Sequence, residues 1–156
     1  MAWSTSKIFR PFIADMLQNT VAFDLDTDQA WCALYDNDIT PDTNVTAALS
    51  AYNAGQWVST GNECYEAGTW PAGGVQISSP AISTGTDYVM YDTATDTAST
   101  SGCDLTNVYG CLVYDETVAT VDDQGLCFNY FNGPNSVTNG TFTVVWHANG
   151  IFRITL

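Results

Sequence analysis

His147 is the only histidine in the chain, so a Ser-His-Asp or Cys-His nucleophile would have to use it. Its setting argues otherwise. It falls inside the apolar run 141–148, just before Asn149-Gly150, and no Gly-x-Ser-x-Gly occurs anywhere. A packed or edge histidine is the simpler reading. Asp24-Leu25-Asp26-Thr27-Asp28 opens like a calcium loop, but Gln29 stands at the sixth position, where glycine makes the turn. Tyr35 stands at the twelfth, where a bidentate glutamate is needed. A solvated acidic turn ahead of a strand explains it better. Asp36-Asn37-Asp38 and Asp122-Asp123 also read as turn residues, because Asp and Asn bond their own backbone. Seventeen acidic residues bring some carboxylates together by chance, and Glu63, Glu66 and Glu116 sit in no motif for glycoside hydrolysis. Ala72-Gly73-Gly74 lacks the lysine and the spacing of a phosphate loop. The expectation is therefore no catalytic set, no metal and no cofactor.

Two other residue types could do chemistry. The five cysteines, Cys32, Cys64, Cys103, Cys111 and Cys127, are odd in number, scattered, and form no Cys-x-x-Cys. They read as mostly buried thiols of a reducing compartment, with one disulfide, for example Cys64 with Cys103, left open. Tyr52, Trp57, Tyr65 and Trp70 lie in a Gly/Asn-rich stretch. Aromatic faces in polar loops can stack on sugars, so a carbohydrate-binding module is a rival reading. The favoured alternative is that Trp57 and Trp70 pin a long loop onto the body.

Charge excludes more than the motifs do. Between Pro11 and Gly150 there is no lysine or arginine, yet all 17 acidic residues lie in that span. The only cations are Lys7, Arg10 and Arg153, and the net charge is −14. Nucleic-acid binding needs cations against phosphates, and an anionic membrane repels such a body. No apolar stretch reaches the roughly 20 residues of a membrane helix, and MAWSTSKIFRPF carries no signal-peptide pattern. A hydrophobic fraction of 46% and an aromatic fraction of 13% argue against disorder.

These side chains must be held by a β framework. One domain, 1–156, is expected: an arm over 1–7, a helix over 8–18 and a β-rich body over 19–156. Ile8, Phe9, Phe12, Ile13, Met16 and Leu17 form one apolar stripe at helical spacing, with Pro11 in the first turn. Residues 28–36, 55–59, 74–79, 86–91, 107–115 and 125–131 read as strands, 43–52 as a short helix capped by Thr43 or Asn44, and 92–103 as a loop or exposed edge. Asn149-Gly150 between 141–148 and 151–156 predicts a two-residue hairpin that sets Ala148 opposite Ile151, covered on both faces. The fold class is mainly β, an antiparallel β-sandwich or barrel-like domain with one N-terminal α-helix. The arm, with Trp3, Lys7, Phe9, Arg10 and Phe12, reads as a docking element for an acidic patch on a neighbour or on another copy of the chain; the equal alternative, compatible with it, is that the stripe packs on its own sheet while the cations balance nearby acids.

Several strings together resemble a known family: IFRPFIADML (8–17), VAFDLDTD (21–28), ALYD (33–36), WPAGGV (70–75), VYGCLVYD (108–115) and the segment 142–156. They are similar to small virion structural proteins of tailed bacteriophages, encoded among the head genes. Across 29–32 the chain departs from the family's more regular β-branched strand, and it carries extra cysteines. The resemblance implies a virion protein assembled in the bacterial host cytoplasm. Its implied role is capsid decoration (cement), docked on the major capsid protein as a homo-oligomer, with a trimer around symmetry axes as the working form. A tail-tube or head–tail connector component is the first rival, and the carbohydrate-binding module the second. Neither an enzyme activity nor a nucleic-acid or membrane partner is implied.

Overall fold

The structure, a computed structural model, describes residues 3–156. Lys7–Ile8 is strand β1 and Arg10–Gln18 is helix α1, followed by β2 (Ala30–Tyr35) and a one-turn helix α2 (Ala47–Ser50). Then come β3 (Val75–Gln76), β4 (Pro80–Gly85), β5 (Tyr88–Thr93) and β6 (Thr97–Ala98). The chain closes with β7 (Cys103–Asp115), β8 (Gln124–Gly140), β9 (Thr143–Val144) and β10 (Phe152–Thr155). Strand makes up 42% and helix 8%, so the expected mainly β body is what forms. It is sandwich-like and open, not a closed barrel.

The five-stranded sheet has the order β1-β8-β7-β2-β3; a three-stranded sheet has the order β10-β5-β4; β6 and β9 pair separately, and all pairings are antiparallel. β2 reads AWCALY without alternation, and five of its six residues are buried. That is the pattern of a strand covered on both faces. β7 and β8 form a long ribbon whose inner half is buried and mostly apolar, with Asp115 and Gln124 as its buried polar members, while the outer half reaches into solvent. Register shifts between Cys103 and Gly110 separate the two halves. Bulges of this kind bend a ribbon and raise its twist.

One contiguous core joins the layers. Trp57 is fully buried at its centre, with the rings of Trp3, Phe9, Tyr35 and Phe128 at centroid distances of 5.9, 5.9, 5.1 and 6.0 Å. Phe12 links α1 to the smaller sheet through Phe152, 5.8 Å away. Gly110 admits the Trp3 ring, which would lie 2.6 Å from a Cβ there. Gly74, at φ +91°, runs so close to β2 that a Cβ would sit 1.8 Å from the Cys32 carbonyl oxygen. No other residue fits that position.

Three expectations need correction. Residues 3–8 are not a free arm, and the helix starts at Arg10, not at residue 8. Lys7 pairs with Phe128 and Ile8 with Cys127, Ser6 Oγ accepts the Tyr130 N–H at 3.0 Å, and Trp3 Nε1 donates to the Asp36 carbonyl at 2.6 Å. The first two positions of the expected arm lie outside the described residues. Second, Asn149-Gly150 does not join two paired strands. Gly150 N–H donates to the His147 carbonyl at 2.7 Å, which closes a four-residue turn with glycine last. Its flanks then diverge, Val144 pairing with Thr97 and Phe152 with Tyr91. Of the two faces expected to be covered, one is, with Phe142, Val144 and Ile151 buried; the other is not, for Val145 is 72% and Leu156 84% exposed. Third, 55–59 is turn, and α2 is capped by Thr46, whose hydroxyl accepts the Leu49 N–H at 3.3 Å.

Candidate functional site

The motif residues mostly serve the fold. In the acidic turn, Asp28 Oδ2 accepts the Asp24 N–H and Asp26 Oδ1 accepts the Ile82 N–H, both at 2.6 Å. The turn thus ties β4 to the start of β2. Among the described residues no three His, Cys, Asp or Glu side chains are placed to hold a metal ion. His147 is exposed, and its Nδ1 accepts the Asn149 N–H at 3.1 Å. All five thiols are free, so Cys64 and Cys103 form no disulfide. Cys64 lies instead with its Sγ 3.7 Å from the Thr106 carbonyl. Trp57 and Trp70 are fully buried, which removes them as sugar-stacking platforms; they pin the long loop. Glu63 completes that anchor by accepting the Gly73 N–H at 2.7 Å and the Tyr52 hydroxyl at 3.0 Å. Burial pushes its carboxyl above the usual range, and the two hydrogen bonds oppose the shift.

A pattern runs through these contacts. Carboxylates here are satisfied by peptide and hydroxyl donors. Asp36, Asp42, Glu66 and Asp104 accept the N–H groups of Asp38, Asn44, Asp104 and Asn139 at 2.6 to 2.8 Å. An ionised acceptor strengthens such bonds, so they hold turns without any cation.

The cations are correspondingly left over. Arg10 donates to Asn44 Oδ1. Arg153 donates to Asn149 Oδ1 at 3.2 Å and lies 4.0 Å from the Tyr88 ring centroid, a cation–π contact. Among the described residues neither these two nor Lys7 pairs with a carboxylate. β1, paired with β8, and β10, paired with β5, bring opposite ends of the chain to one cleft. Ser6, Lys7 and Ile8 on one side, and Phe152 and Arg153 on the other, line a cleft of about 360 Å³ whose wall includes Asn129. Ser6 and Asn129 also line an adjoining cleft of about 180 Å³, with Trp146 and His147. Val144 and Val145 carry that one into a third, of about 540 Å³, along the outer half of β8. Through these shared walls the three clefts adjoin in a row, a groove whose first cleft is lined by Lys7 and Arg153 and whose others have polar and apolar walls.

Of the residues expected to dock, Lys7 and Arg10 are exposed on the surface. Trp3, Phe9 and Phe12 are not available: Trp3 is 3% exposed and the other two are fully buried. The apolar stripe of α1 packs on its own sheets, apart from Leu17, which is 83% exposed. The sequence names Arg153 as a cation but gives no sign that it shares a groove with Lys7, because nothing short-range links residue 7 to residue 153. The one available signal was that every cation lies at a chain end.

No family model matches the chain, and no curated protein or solved structure matches it.

Proposed function

We propose that this protein is a virion structural component, a decoration protein that docks on the major capsid protein lattice and stabilises the head. The observation that carries the reading is the separation of charge: an acidic body whose only lysine and arginine side chains, none paired with a carboxylate among the described residues, lie at the β1–α1 corner and on the adjoining β10. Folding alone does not favour that arrangement. Arg10 heads α1, where a cation opposes the peptide dipoles at a cost of about 0.3–1 kcal/mol. A cation left uncompensated in a −14 molecule is a handle for an anionic surface elsewhere. The acidic remainder keeps copies soluble and repels the packaged genome. A rigid aromatic core and tied-down N-terminal segment suit a part that binds as a preformed shape.

The test is occupancy on purified capsids. Wild-type chain saturates the shell at high copy number, and the Lys7→Glu/Arg10→Glu/Arg153→Glu triple variant, folded by circular dichroism, does not. Failure of the wild-type chain to bind shells refutes the reading. A copy number near a dozen also refutes it, in favour of a connector role.

A further inference from the structure

We propose that the groove between β1, β8 and the 143–153 segment binds an extended acidic segment of a partner protein, whose carboxylates seat between Lys7 and Arg153. The inference rests on the docking reading above and names the chemistry that its partner presents. Three observations carry it.

First, Lys7 and Arg153 line the same cleft, and among the described residues neither pairs with a carboxylate. Arg153 is held there by one bond to Asn149 and by the Tyr88 ring, which leaves other guanidinium N–H groups open. Second, the wall supplies further donors. Asn129 spends its amide on a weak 3.5 Å contact with Cys127 Sγ, and the Ser6 hydroxyl, which accepts the Tyr130 N–H, still has a proton to donate. Third, the groove continues as a strip in which exposed Val145 alternates with buried Val144 beside Tyr130 and Phe131. An anchoring charge followed by an apolar and polar strip suits an extended chain better than a small anion.

Charge decides against a nucleic acid in the same place. Screening confines each charge to about 8 Å at physiological ionic strength. Two cations can therefore hold one or two carboxylates locally. A phosphate polymer running past them would meet the acidic body, where no further counterion release is available.

A fluorescein-labelled octapeptide of alternating Asp and Val, its Asn-for-Asp counterpart and an oligo-dT octamer serve as probes, read by anisotropy. The acidic peptide binds, and the Lys7→Glu and Arg153→Glu single variants each weaken it about tenfold, as expected for charge reversal beside a partner. Backbone amide shifts on titration fall on 6–8, 127–131 and 144–153. Equal binding of the Asn peptide, preferred binding of oligo-dT, or shifts elsewhere overturns the proposal. So does self-association that the same variants abolish without any peptide effect, since the occupant is then a second copy. Peptide binding without shell occupancy overturns the lattice reading alone. Shell occupancy undiminished in both variants, with no peptide binding, overturns the groove alone.

Discussion

Asp115 and Asp28 meet as two carboxyl groups at the end of β7 and the start of β2. Asp115 is fully buried; its Oδ1 accepts the Thr117 N–H at 2.8 Å, and its Oδ2 has no donor of its own. Asp28 is already an acceptor, from Asp24 N–H. A proton on Asp115 Oδ2 gives that atom a donor to offer the neighbouring Asp28 carboxyl. Burial, then the neighbouring Asp28 charge, pushes Asp115 up to about 7, against the pull of the Thr117 N–H.

The folded value thus lies above the unfolded one, so the native state holds an extra proton between about pH 4 and pH 7. Stability from this group is full below that window and is lost as pH rises through 7. Between pH 5 and pH 8 the loss amounts to about 2–3 kcal/mol, at roughly 1.4 kcal/mol per unit. Urea midpoints at the two pH values should show wild type firmer at pH 5, and Asp115→Asn with a shallower dependence. An equal slope in the variant would count against the proton on Asp115. Glu63, raised in the same direction by burial, leaves a residual slope in both proteins.

Trp3 belongs to the core, and its removal tests that directly. It packs edge-on to Trp57 and Phe128, 5.9 and 6.1 Å away, and donates to the Asp36 carbonyl. Trp3→Ala forfeits packing and leaves that carbonyl short of a donor, at about 3–5 kcal/mol by analogy with other buried large-to-alanine changes. Denaturant unfolding reads the loss. A midpoint within error of wild type would return residue 3 to a free arm.

The thiols are predicted to be inert while the chain is folded. Cys32, Cys103, Cys111 and Cys127 are buried, and Cys64 is half-buried with its thiol pushed up to about 12 by burial and by Asp36 and Glu63. At pH 8 such a group is thiolate about once in ten thousand molecules, and the thiolate is the reactive form. A chromogenic disulfide reagent gives no rapid phase on native protein and five thiols after unfolding. A fast native thiol, or fewer than five on unfolding without reductant, refutes this.

Local pattern made some elements readable. Pro11 and the apolar stripe placed α1 to within two residues, because Pro fixes the first turn. The runs in 28–36, 107–115 and 125–131 lie within or around β2, β7 and β8, since each buries a continuous apolar stretch. β4 was missed because PAISTG is exposed along five of six residues and opens with proline, tolerated at an edge. The hairpin at Asn149-Gly150 was misread for a different reason. The turn forms, but Trp146 Nε1 donates to Thr97 Oγ1 at 3.0 Å and Phe152 joins Tyr91, so tertiary partners outbid the local pairing. The groove was unreadable on the same grounds, for its two cations are brought together only by β1 and β10.

Turns fastened by carboxylate-to-peptide bonds carry a consequence for ionic strength. Proteins that lean on acid–base pairs lose them as electrolyte is added, whereas this chain has repulsion among its acids to relieve and no such pairs among its described residues to forfeit. Concentrated electrolyte therefore hardens the monomer while loosening whatever its few cations grip, and the same change of buffer moves folding and attachment in opposite directions.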